Sequence, residues 1–330
     1  MGLLLCVLGN DLRPVAIVFR ASKCSGEIQM TNNKYVYKVY GLIIGADFPI
    51  PEFIEFEGRP EVIIKYGKVK SFLENPEEKG IRFEATKDEF LLTVEGIAKY
   101  YVSNGREIII EPYDKTNLDV LRVFLHGSVF GALLHQKQYL VLHGSSIVVN
   151  GSGIVFAGDS GSGKSTLAAA FYRKRYKILT DDLCVVKLNN AGIPEVVPGF
   201  PKLKLWKDSI KLLGENINLL EPIRNNLQKY WLDIESEFSK ESVPMSKMYI
   251  MHNQNNSELR IEQIPSTQKL KELINNTYRW RYIKKTQEGK SLYFEQILAT
   301  DNAIDIYKIT RDIKLCNPDQ MLTILEKEMK

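Results

Sequence analysis

Gly158-Asp159-Ser160-Gly161-Ser162-Gly163-Lys164-Ser165 matches the phosphate-binding spacing G-x-x-x-x-G-K-[ST], and each fixed position has a physical task. Glycines admit backbone conformations that a Cβ would block, so consecutive N–H groups can turn toward phosphate oxygens. Lys164 supplies a point charge for the β- and γ-phosphates, and Ser165 offers a hydroxyl to Mg²⁺. The pattern alone arises by chance in roughly one chain in a hundred of this length, so its surroundings decide. Gly153–Ala157 is an apolar run suited to a buried strand, and Ser165–Arg173 is Ala-rich and followed by Lys174 and Arg175, as a helix C-terminus favours. Strand, loop and helix stand in the order a nucleoside triphosphate site requires, and Gly158 to Thr166 are its candidate nucleotide-binding residues.

Two further features carry chemistry. Tyr176–Thr180 reads as a strand ending in Asp181-Asp182, about 16 residues after Ser165. A strand-end carboxylate beside a phosphate loop can serve Mg²⁺, and a second can accept a hydroxyl proton. Neighbours on an extended backbone point to opposite sides, so the two need not share one task. His143 breaks two apolar runs, Tyr139–Leu142 and Ser146–Val149, and is a candidate for γ-phosphate contact or acid/base work. His126 and His135 read as packing or surface residues, and His252 has no assigned role.

These residues need elements to position them. Residues 34–115 show short strands with turn punctuation, read as an antiparallel meander with a hairpin at Asn104-Gly105. Asn117–Gln136 has helical periodicity and would bridge to a second region that begins at Tyr139. Asn150-Gly151 marks another hairpin, Leu183–Leu188 runs extended, and Glu221–Phe238 and Ser266–Asn276 read as polar helices. Met248–Met251 and Ile304–Ile309 read as strands, with a helix after Pro318. The expected organisation is an extension over 1–30, a β-rich domain with its bridging helix over 31–138, and a phosphate-loop domain over 139–330.

Composition bounds the function. Among 330 residues, 44% are hydrophobic and 25% charged, the balance of a globular chain. A net charge of +4 is too mild for a nucleic-acid footprint; Lys202-Leu203-Lys204 and Lys284-Lys285 read as solvated faces or an anion-facing rim. Cys6, Cys24, Cys184 and Cys316 lack metal or disulfide spacing and fit a reducing cytoplasm. Met1–Gly9 is apolar but too short to span a bilayer and lacks the basic start of a signal peptide, so no membrane role is expected. A translation start at Met30 is an alternative reading of this extension.

Leu142-His143-Gly144, the run Gly158–Thr166, and Leu179-Thr180-Asp181-Asp182 together resemble the catalytic domain of bacterial HPr kinase/phosphorylase. That family transfers phosphate from ATP to a serine of a sugar-transport carrier protein, on a fold akin to phosphoenolpyruvate carboxykinase. The resemblance implies an α/β (α+β) protein whose phosphate-loop domain has a mixed sheet, preceded by a mainly antiparallel β domain. The first half does not resemble the family's usual regulatory domain, and the Gly-rich second signature of the bifunctional enzymes is not evident. Tyr40-Gly41-Leu42, Pro49–Glu52 and Pro198–Trp206 instead resemble HPr-kinase-related proteins of biosynthetic gene clusters, including kinases of the C-terminal serine of lasso-peptide precursors. The likeness spans most of residues 35–310.

The resemblance implies an ATP- and Mg²⁺-dependent serine kinase acting on a peptide or small protein. His143 would contact the γ-phosphate or assist the proton transfer, Lys164 would neutralise the transferring group, and Ser165 would hold Mg²⁺. One of Asp181 and Asp182 would be the base and the other would serve the metal; Asp182 is taken with Ser165 as the metal pair, and the division stays open. Lys202 and Lys204 would face phosphate or an acidic substrate. Because members of the family assemble into oligomers, a homo-oligomer is a further expectation. The rival readings are an HPr-type carrier kinase, a small-molecule kinase, a P-loop ATPase, and a nucleotide-sensing regulator without an acceptor.

Overall fold

Both Asn-Gly pairs close hairpins: φ is 53° and 62° at Asn104 and Gly105, and 50° and 76° at Asn150 and Gly151. Positive φ at both central positions matches the right-handed twist of the strands on either side. The computed structural model describes residues 34–330 apart from 115, 225–226, 257, 281–284, 286–290, 313–316 and 330. Residues 1–30, including the alternative start, and Cys316 lie outside the described residues.

The first sheet has nine strands: β1 (Tyr35–Val39), β2 (Leu42–Ala46), β3 (Ile54–Glu55), β4 (Val62–Tyr66), β5 (Glu78–Lys79), β6 (Phe83–Ala85), β7 (Glu89–Val94), β8 (Ala98–Ser103) and β9 (Glu107–Pro112). Their order is β3-β1-β2-β4-β9-β8-β7-β6-β5. It is not the continuous antiparallel meander read from the sequence, because β4 lies parallel to both β2 and β9. The chain after β2 returns through β3 along the outer edge before entering β4, so β4 runs in the direction of β2. Helices α1 (Leu118–Phe124) and α2 (Phe130–Gln136) follow, joined by a π turn over Leu125–Val129. By length and composition this helical stretch could cross a membrane, but most of it is buried within the protein.

The second sheet is mixed and built around β10 (Leu140–Val149) and β11 (Ser152–Gly158). After helix α3 (Lys164–Arg173) come β12 (Ile178–Thr180), β13 (Leu183–Leu188) and β14 (Pro194–Val197). A separate three-stranded sheet holds β15 (Lys202–Trp206), β16 (Glu221–Arg224) and β17 (Leu227–Asp233), with helix α4 (Lys207–Leu212) after β15. The remainder is β18 (Val243–Asn253), β19 (Arg260–Gln263), α5 (Ser266–Asn275), α6 (Ser291–Ala303), β20 (Asp305–Arg311) and α7 (Pro318–Glu328). The polar helix expected over Glu221–Phe238 is therefore β16, β17 and a short 3₁₀ turn. Leu232 packs with Leu203 and Leu205 while Trp231 takes the other side, so tertiary packing selects the period-two reading.

β11 pairs antiparallel with β10 and parallel with β18, so the glycine-rich loop after it leaves the end of an interior strand. Both faces of β11 are covered. Ile154 and Phe156 pack toward α3 and α7, whereas Val155 and Ala157 pack with Leu273 of α5 and Ile297 of α6. Two-sided burial explains the uninterrupted apolar run of this strand. Residues 33–330 cluster as one unit, and an apolar cluster containing Phe53, Leu125, Phe130, Val141, Phe200 and Trp231 crosses residue 138.

Within this cluster lies a buried charged group. Glu52 Oε1 accepts from Arg122 Nε at 3.0 Å, and Glu52 Oε2 lies 3.1 Å from Nε2 of His126 in the π turn. Burial opposes ionisation of Glu52, yet His126 and Arg122 hold its pKa down to about 2. Burial also lowers the pKa of His126 itself, so Arg122 is the cation we credit near neutral pH. A carboxyl with a depressed folded pKa contributes its full stabilisation above its unfolded pKa of about 4.3 and loses it as pH falls through the folded value. Glu52→Gln is therefore expected to cost about 3 kcal/mol at pH 7, the low end for a broken buried pair because Arg122 also holds Asp119. Urea unfolding between pH 7 and 2 checks this, with the deficit shrinking below about pH 4.5.

Candidate functional site

The glycine-rich loop at Gly158–Ser165 takes its shape from backbone that only glycine adopts comfortably. Gly158, Gly161 and Gly163 have φ of 131°, 84° and 92°. A Cβ on Gly158 would sit 2.6 Å from the Met251 carbonyl oxygen, so the motif's first glycine is fixed by strand packing as well as by φ. Gly163 precedes α3, whose first residue is Lys164. Arg311, at the end of β20, donates to the Ser162 carbonyl at 3.0 Å and ties the loop to the sheet. The Ser162 hydroxyl is buried with no hydrogen-bond partner among the described residues.

Lys164 is 6% exposed and donates to the carbonyls of Gly158 at 2.9 Å and Asp159 at 2.8 Å. Burial lowers its pKa, while Asp181 and Asp182 pull it back up. A desolvated ammonium wrapped in its own loop suits a partner with several negative charges.

The acidic pair lies where β12 gives way to β13, both strands pairing with β10. Asp181 is 5% exposed and accepts three hydrogen bonds: from Ser145 Oγ (2.6 Å), Ser165 Oγ (2.8 Å) and the Lys204 amide (2.9 Å). Asp182 has φ of 71°, which swings its side chain away from that network. Its Oδ2 accepts from Lys204 Nζ at 2.8 Å, and its Oδ1 lies 3.4 Å from His143 Nδ1. Burial would raise the Asp182 pKa, but Lys204, the cation we credit near neutral pH, outweighs it and holds the carboxyl well below the usual range. His143 Nδ1 is 3.2 Å from the Asp182 carbonyl oxygen. A carbonyl can only accept, so Nδ1 carries the proton and Nε2 of the neutral ring is left as an acceptor. Burial, then Lys164, lowers the His143 pKa, which favours this neutral form.

Two adjoining clefts meet at these side chains. The first, about 480 Å³, lies over the glycine-rich loop and α3 and includes Asp181, Trp206 and Arg311. The second, about 400 Å³, runs between Gly158–Ser160 and Asn275–Arg279. It opens where β10 exchanges neighbours: β11 pairs from Gly144 onward, whereas Thr277 bridges Leu142. His143, Ser160, Asp182 and Lys229 line both clefts.

The structure thus brings His143, Lys164, Ser165, Asp181, Asp182 and Lys204 together. Thr166 also faces the first cleft, and its hydroxyl lies 2.7 Å from that of Ser209. Lys202 does not line either cleft; its Nζ is 2.7 Å from Asp233. His126 and His135 are buried packing residues, with His135 Nε2 2.9 Å from the Tyr278 carbonyl, and His252 is exposed. Cys184 is buried and free, and burial pushes its thiol pKa up. Sequence reasoning missed Ser145, two residues from His143 on β10, and Lys229, Tyr278, Arg279 and Arg311, which reach the site from distant segments. Only the lysine and tryptophan alternation of β15 and β17 offered a local signal.

No protein-family model and no curated protein matches this chain. Among solved structures, the Hpr(Ser) kinase/phosphatase from Coxiella burnetii aligns over 57% of this chain and 87% of its own, at 14% identity and a TM-score of 0.29.

Proposed function

We propose that the protein transfers a phosphoryl group from ATP to a hydroxyl, with the nucleotide in the cleft over α3 and the acceptor in the second cleft. The observation that carries this reading is the division of the acidic pair: Asp181 is bonded to Ser165, whereas Asp182 is turned to the boundary of both clefts. The residues fit a triphosphate with a divalent cation. Three glycines hold positive φ, Lys164 is buried, and the Ser162 hydroxyl has no partner among the described residues. Ser165 and Asp181 would hold the cation, which would supply charge neutralisation at the phosphates. This exchanges the carboxylates relative to the metal pair of Ser165 and Asp182 taken from the sequence.

Asp182 then receives the acceptor's proton while the acceptor oxygen bonds to the γ-phosphorus and the bond to the β–γ bridging oxygen breaks, the electron pair leaving with the nucleoside diphosphate. Such transfers need little covalent help, so an ionised carboxylate that orients the hydroxyl suffices despite its low basicity. Neutral His143 presents Nε2 at the same boundary as a second acceptor for the proton.

For the acceptor we propose a serine of a peptide or small protein, with the C-terminal serine of a lasso-peptide precursor ahead of an HPr-type carrier. The sequence likeness at Pro49–Glu52 and Pro198–Trp206 supports that preference. Serine-ended precursor peptides and an HPr-type carrier, each incubated with ATP and Mg²⁺ and weighed by mass spectrometry, test it. The expected result is one added phosphate on a peptide serine, absent with the Asp181→Asn, Asp182→Asn double variant. Phosphate on the carrier alone would reassign the acceptor, and phosphate on neither with steady phosphate release would favour an ATPase.

A further inference from the structure

β15 and β17 pair with Lys204 opposite Trp231 and Trp206 opposite Lys229. Residues two apart on a strand share a face, as do directly opposed residues, so these four side chains form a checkerboard on one face. Each lysine lies over the ring opposite it: Lys204 Nζ is 5.4 Å from the Trp231 centroid and Lys229 Nζ is 4.5 Å from that of Trp206. The two ammonium groups differ in what else they touch. Lys204 is ion-paired with Asp182. Lys229 has the Trp206 ring and no hydrogen bond or ion pair among the described residues.

We propose that Lys229 is a second catalytic cation, which holds the phosphoryl group as it passes from the nucleotide cleft to the acceptor cleft. Among the described residues it is the only cationic side chain that lines both clefts, apart from the neutral-favoured His143. The other cations lining the clefts are committed elsewhere: Lys164 to the loop carbonyls, Lys204 to Asp182, Arg311 to Ser162 and Arg279 to the Tyr278 hydroxyl. Burial lowers the pKa of Lys229 and Asp182 pulls it back up, so the ammonium is partly desolvated and close to the proposed base. A fixed charge in such surroundings acts most strongly where charge moves during reaction. In the step itself the acceptor oxygen bonds to the γ-phosphorus and the bond to the bridging oxygen breaks. The hydroxyl proton goes to Asp182, the nucleoside diphosphate leaves with the electron pair, and Lys229 donates hydrogen bonds without giving up a proton. Trp206 supports the long side chain from beneath and limits the rotamers it would otherwise lose on binding.

The inference rests on the phosphoryl-transfer reading, but it can be tested without an acceptor. The affinities of full-length wild type, Lys229→Met and Lys229→Arg for ADP–Mg²⁺ and for ADP–Mg²⁺ with aluminium fluoride separate ground state from transition-state mimic. Lys229→Met is expected to bind ADP within about threefold of wild type and to bind the fluoride complex about 100-fold more weakly. The Arg variant is expected to recover part of the loss, because it keeps the charge but not the geometry. Unchanged affinities, an equal loss for both ligands, or a wild type that does not prefer the fluoride complex would each overturn the role. Failure of the wider reading shows separately, as a wild type that binds these ligands but phosphorylates no acceptor.

Discussion

Asp182→Asn is expected to slow phosphoryl transfer by at least about 10³-fold while leaving ADP affinity within about threefold. The amide keeps the size and one hydrogen-bond acceptor of the carboxylate but cannot take the hydroxyl proton. The left-handed backbone at Asp182 tolerates asparagine, so the site should keep its shape. Lys204 would lose its anionic partner, and some of the deficit will come from that freed charge. The pH profile separates the causes. Because the Lys204 ammonium holds the Asp182 carboxyl well below the usual range, its protonation should not limit wild-type activity above about pH 5. The acid limb should instead follow His143, whose pKa lies below its ordinary value of about 6.5, with activity lost as the ring gains its second proton. Steady-state rates from pH 5 to 9 check both points, and an acid limb unchanged in His143→Gln would contradict the second.

Lys164→Met should produce the opposite pattern from Lys229→Met. Lys164 rises from the loop proposed to hold the β- and γ-phosphates, so ATP and ADP affinities should both fall, by about 10- to 100-fold, and turnover should be abolished. Stability should not follow activity. The wild-type ammonium is buried, and burial lowers its pKa, so methionine removes a desolvated charge while filling similar space. Calorimetry is expected to give a Tm equal to or above that of wild type. A large fall in Tm would mean that the bonds from Lys164 to Gly158 and Asp159 organise the loop, and the affinity loss would then report misfolding rather than a missing charge.

What could be read from the sequence follows from how local each signal is. The strand, loop and helix from Gly153 to Arg173, and the hairpins at Asn104-Gly105 and Asn150-Gly151, are written in contiguous residues whose backbone needs are specific. The position of β4, parallel to β2 and β9, depends on a crossover that no local pattern encodes. Glu221–Phe238 shows the same limit. Its charges and mixed apolar residues suit a polar helix in isolation, and only the pairing of β17 with β15 and the packing of Leu232 make it a strand.

The site divides in the same way. Lys164, Ser165, Asp181 and Asp182 were found because the motif and a strand end point to them. The sequence does not separate the two aspartates, since their different surroundings depend on φ at Asp182 and on Ser145 and Lys204 from other strands. Lys202 and Lys204 were a matched pair by period, yet Lys202 finds Asp233 while Lys204 reaches Asp182. Lys229 shows in the sequence only as part of the lysine and tryptophan alternation of β17, inside a segment that reads as a polar helix. Its place beside Trp206 exists only once β15 and β17 are paired.

The central claim is that the bond broken in the nucleotide becomes a bond to a hydroxyl other than that of water. The most direct measurement is a mass balance of ADP, free phosphate and phosphoserine in one incubation of wild-type protein with ATP, Mg²⁺ and the serine acceptors. Phosphoserine formed mole for mole with ADP, with free phosphate a minor product, is the result we predict. ADP matched by free phosphate whatever the acceptor would contradict the account and leave an ATPase in its place.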